Sequence, residues 1–220
     1  MPVRYSFAVL RALLLCGSVA YLTACGDQAG RLMCALPSDG RILAVGDSLT
    51  NAYGADQRGG WAEQLQDRLS TDADWMGVKV VVEGVNGEQT TALRARLPAL
   101  LTRWQPQVVI LTSGGNDFIR QVDEQHTVDN LHAMAEEIIG SGALPVVFAV
   151  PQPGLAAAAG FLSDHSLFEA LESPGSWRVI KNVVSETLAD PTLRADRIHP
   201  NSAGYARMAE AAQAALADCR

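Results

Sequence analysis

Short, unbroken apolar runs alternate with stretches of helical periodicity along this chain, and that order admits few folds. Ile42-Leu43-Ala44-Val45, Val108 to Leu111 and Pro145 to Val150 are such runs; Val78 to Val82 is β-branched, and Trp177 to Ile180 is a weaker strand signal. Strands lacking apolar–polar alternation are buried on both faces. The segments between them supply the cover. Trp61, Leu65 and Leu69 recur at helical spacing, as do Leu93, Leu97, Leu100, Leu101 and Trp104. Val128, Leu131, Met134, Ala135, Ile138 and Ile139 stripe a further helix. Asn201-Ser202 caps a last one carrying Tyr205, Met208, Ala209, Ala212 and Leu216. The order βαβαβαβ predicts an α/β chain with a parallel, doubly wound sheet.

The strand pattern starts only at residue 41. Met1 to Arg11 carries Arg4 and Arg11 and no acid, and Ala12 to Tyr21 is mostly apolar but short. A charged start, a short apolar stretch and small residues predict a secretory signal peptide over residues 1–24. Residues 25–40 read as a polar tether and 41–220 as one domain. Leu22-Thr23-Ala24-Cys25 resembles the lipobox of bacterial lipoproteins. That resemblance implies cleavage before Cys25 and lipidation of its thiol; the other reading is an ordinary signal peptide with an incidental cysteine. Each buried CH₂ of an acyl chain adds about 0.8 kcal/mol, so several chains anchor a protein firmly. The expected placement is therefore exported, lipid-anchored at a membrane of the cell envelope and facing the periplasm. An aspartate directly after the lipidated cysteine marks inner-membrane retention in one lineage. Asp27 stands one place later, so the outer membrane is expected.

Removing Arg4 and Arg11 takes the net charge from -7 to -9. So acidic a chain lacks the basic footprint of a nucleic-acid binder. Of the 4 cysteines, Cys16 leaves with the leader and Cys25 takes the lipid. Cys34 and Cys219 either form a disulfide, which export permits, or remain free thiols. No Cys/His cluster has metal-ligand spacing, so neither metal nor cofactor is expected. A monomer is expected.

In an open α/β sheet, ligands bind beyond the carboxyl ends of the strands. The first strand is followed by Gly46-Asp47-Ser48-Leu49-Thr50, the second by Gly84-Val85-Asn86-Gly87-Glu88 and the third by Gly114-Gly115-Asn116-Asp117. These glycine-rich polar loops converge on one rim. Hydroxyls, amides and close-approaching backbone N–H groups gathered there suit acyl transfer. A serine nucleophile needs a base, and the chain has 4 histidines. His132 falls on an amphipathic helix and His126 in the polar segment before it, so both read as solvated. His165, after the fourth strand, is a minor candidate. His199 has a carboxylate three residues upstream in Asp196-Arg197-Ile198-His199-Pro200. Such a carboxylate can accept from the imidazole Nδ1–H, fix its tautomer and stabilise the imidazolium.

At these positions the chain resembles the SGNH, or GDSL-type, hydrolase family. The resemblance rests on Gly46-Asp47-Ser48-Leu49-Thr50, on Gly87, on Gly114-Gly115-Asn116-Asp117 and on Asp196-Arg197-Ile198-His199-Pro200, in order from about Arg41 to the last helix. It implies a flavodoxin-like three-layer sandwich and serine ester hydrolysis. It also implies Ser48 as nucleophile, His199 as base, Asp196 as its orienting acid, and an oxyanion hole of the Ser48 N–H, the Gly87 N–H and the Asn116 amide. The nucleophile-elbow pattern G-x-S-x-G is absent. The thioesterase/arylesterase/lysophospholipase branch is the nearer one, which implies small esters or acyl lipids as substrates. An O-acetylesterase of envelope polysaccharide and a catalytically silent, lipid-tethered binding module are the alternatives. Residues Gly154 to Ser176 depart from that branch and would wall the acyl pocket. Arg197 stands where the family often has glycine, and either engages an anionic group or faces solvent.

Overall fold

The computed structural model describes residues 36–37, 39–152, 162–172 and 177–217. The leader, Cys25, Cys34, Cys219 and most of the Gly154–Ser176 wall lie outside them. The elements run β1 (Arg41–Gly46), α1 (Trp61–Thr71), β2 (Lys79–Gly84), α2 (Thr90–Trp104), β3 (Val108–Thr112), α3 (Gly115–Ile119), α4 (Glu124–Gly140), β4 (Leu144–Phe148), α5 (Leu167–Ala170), β5 (Arg178–Ile180), α6 (Val183–Ala189) and α7 (Ser202–Ala217). No helix among the described residues is long and apolar enough to cross a membrane.

The five strands are parallel and ordered β2-β1-β3-β4-β5. The unbroken apolar runs explain the middle of this order. β1 and β3 are buried along nearly their whole length, because helices cover both sides. α1 packs on α7, and α7 on α6, while α2 packs on α4. The chain is an α/β sandwich. The two edge strands are less dry than the sequence pattern predicts. β2 is half-exposed throughout, and Val82 is open to solvent.

The predicted stripes face the sheet, except that Trp104, Val128 and Ile139 are less than fully buried. Trp61, Leu65 and Leu69 of α1 are fully buried, and the Trp61 ring meets Phe148 edge-on at 5.2 Å between centroids. Tyr205, Met208, Ala209, Ala212 and Leu216 of α7 are buried without exception. On α4, however, Ile139 is exposed and Val128 only partly covered, because Leu131, Met134, Ala135 and Ile138 already fill the seam. The domain also begins earlier than the strand pattern shows. Leu36 packs on the core, and Gly40 N–H donates to the Pro37 carbonyl at 2.8 Å.

One glycine fixes the active edge of the sheet. Gly46 closes β1 at φ 146° and is paired with Thr112 at the end of β3. A Cβ there would stand 1.9 Å from the Thr112 carbonyl oxygen. That oxygen accepts the Asp47 N–H at 3.1 Å. Only a residue without a side chain lets the two strand ends come this close and turn here. Gly46→Ala should therefore cost about 3 kcal/mol or more, the upper range for forced overpacking. A urea midpoint unchanged from wild type would contradict this.

Candidate active site

The loop after β1 folds at once into a turn. Asn51 N–H donates to the Asp47 carbonyl and Tyr53 N–H to that of Ser48, each at 3.0 Å. The turn lifts the half-buried Ser48 side chain to the carboxyl end of the sheet. The last irregular segment brings a histidine to it from 151 residues away: His199 Nε2 lies 3.0 Å from Ser48 Oγ. On the other side of the ring, His199 Nδ1 lies 2.8 Å from Asp196 Oδ2. With Nδ1 protonated, Nε2 is free to accept the serine proton.

The Asp196 carboxylate is held in place locally. Its Oδ1 accepts the backbone N–H groups of Ile198 and His199, each at 2.8 Å. Partial burial works against its charge, but the His199 ring and these N–H donors outweigh burial and hold it below its ordinary range. The segment is then tied to α7. Asn201 Oδ1 accepts from the N–H groups of Ala203 and Gly204 at 3.1 Å, capping the helix. Its amide donates back to the Thr192 carbonyl at 2.9 Å.

Direct links stitch the loops of the rim together. Asn51 Nδ2 donates to Asn86 Oδ1 at 2.8 Å, joining the Ser48 and Gly87 loops. Asn116 Nδ2 reaches Asp47 Oδ2 at a long 3.4 Å, leaving its second N–H for the cavity. Asp117 is fully buried and accepts the Thr90 N–H at 3.0 Å and the Thr90 hydroxyl at 2.6 Å. That pair pins the start of α2, and with it the Gly87 turn, to the loop after β3. Gly87 has φ 74°, and its carbonyl accepts from Arg120 at 2.9 Å. Ser48, Asn116 and His199 line a cavity of about 390 Å³, whose walls include Leu49, Ile119, Val150, Leu162, Val184, Leu188 and Ile198. Gly87 is not among its lining residues. Among the described residues, no group of three or more His, Cys, Asp or Glu could hold a metal.

The other histidines are placed differently. His165 is buried, stacked on Phe118 at 4.1 Å, and its Nδ1 accepts the Leu167 N–H at 3.3 Å. Burial pushes its pKa down, against the charge of Glu124. Among the described residues it makes no hydrogen bond to Ser48. His126 is exposed and shares a 2.9 Å hydrogen bond with Thr91. His132, on α4, is partly covered rather than fully solvated.

Known proteins carry the same architecture. The GDSL-like Lipase/Acylhydrolase family model matches residues 44–207. This chain belongs to that family. Esterase TesA of Pseudomonas aeruginosa is 32% identical over 144 residues, which span 66% of this chain and 66% of that protein. Thioesterase 1/protease 1/lysophospholipase L1 of Escherichia coli strain K12 is 26% identical over 161 residues, 73% of this chain and 75% of that one. A crystal structure of TesA superposes with a TM-score of 0.72 at 27% identity, covering 82% of this chain and 99% of that one. The chain is an ester-hydrolysing serine hydrolase.

Several groups shape the hydrolase site in ways the sequence does not announce. Tyr53 lies against His199, with ring centroids 4.5 Å apart. Buried Tyr205 donates its phenol to the Tyr53 carbonyl at 2.9 Å, and burial raises the cost of ionising it. Asp47 is the least expected. In sequence it is part of the serine motif with no role assigned, and it lies buried beneath Ser48. Its Oδ1 accepts from Leu49 N–H at 3.0 Å and from the Thr112 hydroxyl at 3.2 Å. Burial nevertheless dominates and pushes its carboxyl up to about 6.

That displacement has a sign. Between the ordinary value of 3.8 and about 6, the folded hydrolase holds a proton that the unfolded chain has released. Stability therefore falls as pH rises through this window, by about 3 kcal/mol in all at 1.36 kcal/mol per pKa unit. Asp196 acts oppositely: its contribution is present above the ordinary carboxylate value and is lost only below it. Urea unfolding between pH 4 and 7 should show this decline in the wild type and a flatter curve in Asp47→Asn. Equal slopes for the two proteins would contradict the assignment.

Proposed function

We propose that this hydrolase cleaves carboxylic esters or thioesters through an acyl-enzyme on Ser48, with His199 as general base and Asp196 as its orienting acid. Ser48 Oγ attacks the acyl carbonyl carbon as His199 Nε2 takes the hydroxyl proton. The carbonyl π electrons move to oxygen, and the oxyanion is met by the Ser48 N–H, the Gly87 N–H and the Asn116 amide. Collapse of this intermediate breaks the bond to the leaving group, which receives the proton from His199. Water then attacks the acyl-enzyme, with His199 again as base, and releases the acid. The observation carrying this reading is the 3.0 Å approach of His199 Nε2 to Ser48 Oγ, with the Asp196 carboxylate behind the ring.

The cavity bears on the substrate. A volume of about 390 Å³ with largely aliphatic walls is far more than an acetyl group needs, and lies within the range of pockets for larger organic ligands. Small aryl esters and acyl lipids of medium chain length are the proposed substrates. The relatives named esterase and lysophospholipase support that class. An exported, lipid-anchored location through Cys25 would put the site beside membrane lipids. Metabolic labelling with palmitate should mark the wild type and not Cys25→Ala; labelling of both would remove the anchor.

Ser48→Ala should lower kcat on p-nitrophenyl butyrate by about 10⁴-fold or more while leaving the fold intact, as loss of a nucleophile does. Asn116→Ala should cost about 10²- to 10³-fold, the loss associated with one oxyanion donor. Wild-type rates in Ser48→Ala would overturn the mechanism. Rates should hold or rise from acetate to octanoate. A collapse beyond acetate would replace the proposed substrate class with sugar O-acetyl groups.

A further inference from the structure

The cavity carries positive charge in a chain whose overall charge is negative. Of its titratable lining residues, Asp47 is buried beneath Ser48, and His199 is engaged by Ser48 and Asp196. The remaining two are Arg194 and Arg197. No carboxylate other than Asp47 lines this cavity among the described residues.

The two guanidinium groups differ in their circumstances. Arg194 is half-buried and donates to the Leu188 carbonyl at 2.9 Å. Its charge also lies near Asp190, a carboxylate held down chiefly by its hydrogen bonds from Thr192 and further by Arg207 and Arg194. Arg197 has no such partner. Among the described residues its guanidinium makes no hydrogen bond or ion pair. The neighbouring Asp196 carboxylate already accepts from Ile198, from the His199 backbone and from the His199 ring. Those same bonds fix the backbone on the C-terminal side of Arg197, so its Cα is held at a set place relative to His199.

Resting on the esterase reading above, we infer that Arg197 recognises an anionic group, a carboxylate or a phosphate, carried by the ester substrate. A guanidinium presents a planar fork of donors that matches either oxyanion in two parallel hydrogen bonds. Neutral esters make no use of that fork. Arg197 is exposed at the cavity mouth, where an incoming anion can reach its guanidinium and salt screens the contact. The chain's net negative charge repels anions elsewhere, so a cation at the mouth also focuses an anionic substrate onto the site.

The test compares kcat/KM within matched pairs. One pair is the p-nitrophenyl monoester of glutaric acid against p-nitrophenyl pentanoate, which places a carboxylate on the acyl part. The other is a lysophosphatidic acid against the monoacylglycerol with the same chain, which places a phosphate on the leaving group. In at least one pair the wild type should prefer the anion. The anionic-to-neutral ratio should fall about 10-fold or more in Arg197→Ala, the usual loss for a charge-assisted hydrogen bond. Arg197→Lys should retain part of the preference, Arg197→Glu should reverse it, and added salt should narrow it. The pair that responds identifies the source of the anion. Ratios equal in wild type and Arg197→Ala for both pairs would overturn this inference while leaving the esterase reading standing. Failure of the wild type to cleave any of the four esters, anionic or neutral, would instead count against the esterase reading, and this inference would fall with it.

Discussion

The hydrogen bond between His199 and Ser48 is the contact to which the rest of the molecule answers. It joins the first strand to the last helix across 151 residues, so it exists only if the whole sheet is assembled in order. β1 must lie beside β3 so that Gly46 and Thr112 end together. α7 must dock on α1 so that the segment before it returns to the rim. Tyr205, buried in α7, reaches the Tyr53 carbonyl, and Tyr53 in turn lies against His199. Packing of the core and alignment of the site are therefore one event, because the same helix supplies both.

Around that contact, polar groups are buried that a purely structural core would exclude. Burying an ionisable carboxyl costs free energy unless hydrogen bonds offset it. Asp47 has them, from Leu49, Thr112 and Asn116, and is still displaced toward its neutral form. What it returns is position: it holds the Ser48 turn and the Asn116 amide with a single side chain. Asp117 does the same for the Gly87 loop through Thr90. The rim is thus held by side-chain links beyond the point where backbone bonds from Asp47 and Val85 end the ladder.

The sequence makes the architecture legible where physics leaves one choice. The Val108 to Leu111 run reads as a strand covered on both faces, and the α7 stripe as a face turned inward, and both are so placed. Legibility fades where elements are short or sit at an edge. α6 has seven residues and begins after Asn182 at φ 64°, so no periodicity announces it. α3 has five, and Gly114, Gly115 and Asn116 at its start read as a plain loop. At the site, Ser48, Asp196 and His199 are visible because their spacing and company are unusual. The burial of Asp47 and the contacts of Tyr53 and Tyr205 are not, since the motif gives Asp47 no role of its own and a tyrosine on a helix reads as core. Their roles arise from contacts between distant segments, which no local pattern encodes. Arg197 lies between these cases: the residue is conspicuous in sequence, and the structure places it exposed at the cavity mouth.

An activated serine can be tested without knowing the natural ester. A fluorophosphonate loses fluoride to an attacking Ser Oγ and leaves a stable phosphonate ester there. Mass mapping of the labelled protein should find a single adduct, on the peptide containing Ser48, with the labelling rate falling by orders of magnitude in His199→Ala. An adduct on another serine with Ser48 unmodified, or labelling of Ser48 at the same rate without the His199 imidazole, would contradict the coupling of these two side chains.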